Sequence, residues 1–205
     1  MIGVITGDIV NSTKLQDPSI WLSPLRAALQ QITLNEATWE VYRGDSFQLE
    51  IKDYFQCFEH AVYIKACIKS IKDLDVRLSI GIGEKSFEGQ TVTESNGEAF
   101  QFSGETLETL KRDKLNLKIK TSDLELDQEL NLYFKLISLT MDHWTPNSAE
   151  IVKLYLENKN KIQKELAEII GISQDAVSKR MKRANLEEVL EIDQMYRKKI
   201  SKLNS

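Results

Sequence analysis

Trp39-Glu40-Val41-Tyr42-Arg43-Gly44-Asp45-Ser46-Phe47-Gln48-Leu49-Glu50-Ile51 is the stretch on which the fold turns. Residues 39–43 and 47–51 read as two short strands, and Gly44-Asp45 between them is a hairpin turn signal. Upstream, residues 1–9 are an apolar, β-branched run, the pattern of a buried strand. Residues 20–32 place Leu22, Leu25, Leu29 and Ile32 at helical spacing. Downstream, residues 54–71 predict a second amphipathic helix, with Phe55, Phe58, Val62, Ile64, Ile68 and Ile71 facing in. Residues 76–82 alternate as a strand. After a Gly- and Glu-rich connection, residues 102–110 predict a third helix and residues 115–119 a further strand.

The order β-α-β-β-α-β, followed by helix and strand, predicts an α+β fold of the ferredoxin-like, palm-type kind. In such a sheet the first strand runs antiparallel to the strand after the hairpin. The end of the first strand then lies beside the start of that strand, which brings Asp8 next to Asp45. Residues 124–141 predict a long linking helix. His143-Trp144-Thr145-Pro146-Asn147-Ser148 breaks it, because Pro146 cannot continue a helix and Ser148 can cap the next one. Two domains are expected, residues 1–145 and residues 146–205.

The composition is that of an ordinary globular protein. The net charge is −4, split into +3 from Ser148 onward and −7 before it, so a mildly basic tail follows an acidic front. No apolar run approaches the roughly 20 residues of a membrane span. Met1-Ile2-Gly3-Val4-Ile5-Thr6-Gly7 has no signal-peptide character, and a cytoplasmic protein is the expectation. Cys57 and Cys67 on one helix would stand about 15 Å apart, too far for a disulfide, and read as core thiols. His60 and His143 have no second His or Cys at ligand spacing, which argues against zinc.

Gly7-Asp8-Ile9-Val10-Asn11-Ser12-Thr13 and Arg43-Gly44-Asp45-Ser46-Phe47 carry the chemistry of the first domain. Alone, Asp8 reads as a strand-end cap and Asp45 as a turn residue. Brought together by the topology, two carboxylates can share Mg²⁺, which takes oxygen ligands. The loop after Val10 can offer backbone N–H groups to phosphate.

Asp8-Ile9 after its strand, the Gly44-Asp45 hairpin and Arg77-Leu78-Ser79-Ile80-Gly81-Ile82-Gly83 resemble three landmarks of class III nucleotidyl cyclase domains, over roughly residues 1–120. With Ser95-Asn96-Gly97-Glu98-Ala99-Phe100 and Phe102-Ser103-Gly104, the pattern also resembles the SatD family of bacterial proteins. The resemblance implies Mg²⁺ held by Asp8, Asp45 and the Ile9 carbonyl, a nucleoside triphosphate or other nucleotide near Asn11, Ser12 and Thr13, and a homodimer. The chain departs from the cyclase pattern at three places. Val41 stands where a base-selecting Lys is usual, and Ser103 and Leu107 are the best matches to an Asn and a charge-stabilising Arg. Losing that Arg removes a large electrostatic term, so the resemblance implies binding rather than cyclisation. Lys118 and Lys120 are further candidates for phosphate, and Asn96 and Glu98 for a base.

From Gln163 to Lys182 the chain matches a helix-turn-helix throughout. Ala167 is small enough for close helix crossing, Gly171 suits a left-handed turn, and Ser173 can cap the second helix. Leu166, Ile170, Ile172, Val177 and Met181 form the expected seam. Gln174, Asp175, Ser178, Lys179, Arg180, Lys182 and Arg183 are the candidate DNA-binding residues, the first of them in the turns that read base edges. Residues 149–156 complete a three-helix unit. Leu186, Val189, Tyr196, Ile200 and Leu203 stripe a last helix, which either covers the core or pairs two chains. The chain thus reads as a DNA-binding, nucleotide-sensing regulator. The alternatives are a divergent metal-dependent nucleotide enzyme targeted by its helix-turn-helix, and an interaction scaffold.

Overall fold

The computed structural model describes residues 1–204; Ser205, the last residue of the expected second domain, lies outside the described residues. The fold is α+β, with a five-stranded mixed sheet, a two-stranded ribbon and eight α-helices among the described residues. Strand β1 (Ile2–Val10) is central, and helix α1 (Ser19–Ile32) follows it. The hairpin of β2 (Trp39–Tyr42) and β3 (Ser46–Ile51) turns through Arg43 and Gly44, both at positive φ (50° and 89°). Helix α2 (Cys57–Lys69) leads to β4 (Asp75–Gly83). A ribbon of β5 (Lys85–Phe87) and β6 (Asn96–Gly97) precedes helix α3 (Glu98–Asp113) and β7 (Leu117–Lys120). The sheet order is β2-β3-β1-β4-β7, antiparallel except for the β4–β7 pair.

The alternation of β1 decides what each face receives. Ile5 and Ile9 enter the main core with α1 and α2, whereas Val4 packs with Ala99 and Phe100 of α3. Helix α3 approaches so closely that a Cβ on Gly81 would stand 2.1 Å from the Ala99 carbonyl oxygen. Helix α3 starts at Glu98, earlier than the apolar pattern of residues 102–110 suggests, because Ala99 and Phe100 are buried with Val4 and Val92 while Glu98 and Gln101 are exposed.

Helix α4 (Leu124–Met141) spans the expected residues. It begins at an Asp123 cap and stacks Phe134 on Phe58 of α2, with ring centroids 4.8 Å apart. Helix α5 (Pro146–Glu157) is capped by Thr145, whose hydroxyl accepts from the Ser148 N–H at 3.2 Å. Ser148 is therefore not the cap that the sequence suggested. Pro146 opens the helix instead of ending one, since its fixed φ suits the first turn and it needs no N–H partner there.

Helices α6 (Gln163–Ile170), α7 (Gln174–Ala184) and α8 (Leu186–Ile200) complete the chain. The hydrophobic core runs without interruption from the sheet through Trp144, Ile151, Val177 and Val189 to Ile200. Helix α2 shows why. Its apolar spacing predicts an amphipathic helix, yet it is buried from Cys57 to Lys69 except at Glu59 and His60, because α5 covers the side turned away from the sheet. The α8 stripe covers this core: Leu186, Val189, Tyr196 and Ile200 are all buried. Tyr196, with no exposed surface, donates its hydroxyl to the Tyr54 carbonyl at 2.6 Å. That stripe cannot also pair two chains.

Burial leaves two cations between the layers. Lys65, 1% exposed, lies 2.7 Å from both Asp75 of β4 and Asp142 at the end of α4. Lys69 reaches Asp75 at 3.1 Å and the Asp142 carbonyl at 2.7 Å. Buried charges of this kind persist only when paired. Cys57 and Cys67 are free buried thiols, and burial raises both, Cys67 to about 11.

Candidate nucleotide edge and candidate nucleic-acid interface

The end of β1 and the β2–β3 turn meet as the topology required. Asp8 pairs in register with Ser46, and the Ile9 N–H donates to the Asp45 carbonyl at 3.0 Å, which extends the β1–β3 ladder into the turn. Asp8 lies on the sheet face covered by α3 and is 6% exposed. Its Oδ2 is held by Arg77 of β4 at 3.1 Å and by Lys111 of α3 at 3.2 Å. Its Oδ1 is buried with no partner. Asp45 is engaged separately: Ser12 donates to its Oδ2 at 2.6 Å. Tyr42 stands close by. Burial raises its phenol, nearby Arg43 lowers it, and Glu108, Glu40 and Asp8 raise it further.

The loop after β1 divides its residues between two directions. Asn11 adopts a left-handed backbone (φ 67°) and donates its side-chain amide to the Asp73 carbonyl at 3.2 Å. Ser12 turns toward Asp45, and Thr13 is exposed. Among the described residues no three His, Cys, Asp or Glu side chains converge. Asp8 and Asp45 still fit a Mg²⁺ site in one respect. That ion is commonly held by one or two carboxylates with phosphate and water oxygens, and a buried carboxylate oxygen of Asp8 has no protein partner.

The cyclase-matched positions behave as core. Ser103 is fully buried and accepts from the Thr6 hydroxyl at 2.9 Å, while Ser79 donates to the Ser103 carbonyl at 2.7 Å. Leu107 is buried against the sheet, and Val41 pairs with Phe47. The other candidates are taken up internally. Lys118 meets Asp113 and Lys120 meets Glu105, each at 2.6 Å. The Asn96 side chain accepts from the Gly97 N–H at 2.7 Å and Glu98 from the Glu84 N–H at 3.3 Å. The sequence reading missed Arg77 and Lys111 as partners of Asp8. Arg77 was visible in the strand pattern, since β4 lies next to β1, but the reach of Lys111 depends on the register of α3.

The second surface is on α7. Gly171 ends α6 in the left-handed region (φ 69°), Ser173 accepts from the Ala176 N–H at 3.2 Å, and Ala167 is buried. Leu166 and Val177 are buried, with Ile170, Ile172 and Met181 half-buried beside them. Gln174, Asp175, Ser178, Lys179, Lys182 and Arg183 are exposed along one helix. Lys179 pairs with Asp175 at 2.7 Å on the same face, which leaves the aspartate partly neutralised. Arg180 is drawn away from that face to Glu150 of α5, at 2.6 Å. Lys182 and Arg183 have no ion partner among the described residues. They sit in the last turn of α7, where the helix dipole favours cations.

No helix of the described residues is long and apolar enough to cross a membrane. No protein of curated function and no solved structure matches the chain. The family model of the SatD family matches residues 2–199, and the chain therefore belongs to the SatD family.

Proposed function

We propose that this protein is a cytoplasmic DNA-binding regulator whose first 145 residues form a cyclase-like, palm-type nucleotide sensor. The observation that carries the reading is the α6–α7 pair. A left-handed Gly171, a Ser173 cap and a buried Ala167 hold α7 so that Gln174, Ser178, Lys179, Lys182 and Arg183 face solvent together. That is the arrangement by which a recognition helix presents polar side chains to a major groove. Arg180, tied to Glu150, positions α7 on α5 instead of meeting DNA.

The strand order β2-β3-β1-β4, with α1 and α2 on one face, supports the palm-type reading of the first domain. Asp8 and Asp45 are the residues that would hold Mg²⁺, with the Ile9 carbonyl near them. The ion would neutralise phosphate charge. Ser12, bonded to Asp45, and the exposed Thr13 would lie along the phosphate approach, whereas Asn11 is turned to the Asp73 carbonyl. Ser103 and Leu107, both buried and uncharged, supply no cation of their own to transition-state charge, which supports sensing over turnover. A homodimer on a palindromic site fits the reading, and it must use a surface other than the buried α8 stripe.

Selection of duplexes from a random DNA library by the full chain tests the proposal. Enrichment of a motif is expected, with affinity changed by Mg²⁺ and ATP or GTP in wild type but not in Asp45→Ala. No enrichment removes DNA recognition. Enrichment with equal affinity with and without nucleotide removes the sensor, and product formation lost in Asp8→Ala replaces it with the enzyme reading.

A further inference from the structure

A cleft of about 720 Å³ opens where the loop after β1, the turn between α2 and β4, and the start of α5 come together. We propose that this cleft is a second ligand site, distinct from the Asp8–Asp45 edge, for a phosphorylated small molecule of mononucleotide size. Its volume falls within the range of small-molecule sites. Its walls have the two characters such a ligand needs. Leu15, Ile71 and Trp144 supply apolar and aromatic surface for a ring, and Lys14 and Lys72 flank the opening.

The charge balance favours an anion. Lys14 and Lys72 are exposed, and among the described residues neither meets a carboxylate. Of the two acids at the cleft, Asp75 is already occupied by Lys65 and Lys69. The Asp73 carboxylate lies exposed, while its backbone carbonyl receives Asn11. Lys14 and Lys72 against the exposed Asp73 leave an excess of one positive charge beside a paired interior, and the two ammonium groups can hold phosphate by charge-assisted hydrogen bonds. The Asn11 to Leu15 segment serves both places. Ser12 holds Asp45 on one side, and Asn11, Lys14 and Leu15 line the cleft on the other.

The cleft also touches the C-terminal helices. Trp144 forms part of its wall and donates its buried indole N–H to the carbonyl of Ala184, the last residue of α7, at 2.8 Å. Pro146, which begins α5, is a second wall residue. A ligand against Trp144 therefore bears on the end of the helix that carries Lys182 and Arg183. This regulatory consequence rests on the DNA-binding reading; the ligand site does not.

The test follows the indole N–H resonances of ¹⁵N-labelled full chain during titration with AMP and, separately, inorganic phosphate, without divalent metal. AMP is expected to shift the Trp144 resonance saturably, with phosphate competing for the same site. Lys14→Glu/Lys72→Glu, at exposed positions, should weaken AMP binding by about tenfold or more with an unchanged melting temperature. Asp45→Ala should leave it intact, which separates the cleft from the palm edge. No Trp144 shift with AMP up to about 10 mM, weaker than a specific effector requires, overturns the site. A shift that survives Lys14→Glu/Lys72→Glu overturns it equally. If AMP binds but DNA affinity does not change, the site stands and its regulatory link to α7 falls.

Discussion

The Asp8 edge and the α7 face carry similar residue types under opposite conditions. At the Asp8 edge the carboxylate is 6% exposed and shared by two cations from different elements. On α7 the polar side chains of that face are exposed, and among the described residues its one ion pair, Asp175 with Lys179, is local and solvated. The first arrangement is closed: on the proposed reading, a metal or nucleotide would have to compete with Arg77 and Lys111 for Asp8. The second is open: on the proposed reading, DNA would displace water and counterions and meet one solvated ion pair. Burial thus separates a carboxylate already paired within the fold from side chains left to solvent.

Breaking the ion cluster should separate the two regions most sharply. Asp8→Ala leaves Arg77 without its main partner in a mostly buried setting and is expected to cost about 3 kcal/mol in urea unfolding. Asp175→Ala, on the exposed helix, should leave the melting midpoint unchanged. Equal losses for both substitutions would mean that Asp8 is solvated in solution.

The joint between the regions is next in size. His60 lies half-buried on α2, with Glu59 and Asp53 on one side of its charge balance and Lys159 and Arg197 on the other, and burial lowers its imidazole to about 4. The unfolded chain takes up a proton near 6.5 and the folded chain does not until about 4. Stability is therefore complete above pH 6.5 and falls as pH drops from 6.5 toward 4. The expected loss is roughly 2 kcal/mol, reduced for partial exposure. His60→Gln should flatten that slope; an unchanged slope would assign it to carboxylates.

Smaller again is the effect of removing one phosphate-facing cation. Lys182→Ala is expected to lower DNA affinity about tenfold across unrelated sequences and to reduce the salt slope by about 1. Arg180→Ala, whose guanidinium is held by Glu150, should act through the stability of the α5–α7 contact instead. A salt slope changed by Arg180→Ala and not by Lys182→Ala would reverse this assignment. The smallest effect is expected from Ser12→Ala. It removes the 2.6 Å hydrogen bond to Asp45 at a cost of about 1 kcal/mol in stability, and should shift nucleotide affinity without altering DNA binding.

Local pattern made much of this molecule legible. The β1, β3 and β4 strands, the full span of α4, and the turn at Gly171 follow from alternation, helical spacing and one glycine. The juxtaposition of Asp8 and Asp45 followed from strand order alone. What was not legible depends on packing between distant segments. Nothing local in α2 shows that α5 buries its second face, or that Lys65 ends between two aspartates there. Arg180 has the same local character as Lys179 and Arg183, and only the position of Glu150 on α5 removes it from the exposed set. The capture of Asp8 by Lys111 likewise rests on where α3 crosses the sheet.

The central claim is that the α7 face binds DNA. Its most direct test is fluorescence anisotropy of the full chain with a random-sequence duplex across a salt series, for wild type and for Lys179→Ala/Lys182→Ala/Arg183→Ala. Binding at low salt that weakens linearly in log affinity with log salt, with a smaller slope and lower affinity in the triple variant, is the predicted result. No binding at low salt, or a salt dependence identical in both proteins, would contradict the claim and leave α7 as a helix for protein contacts.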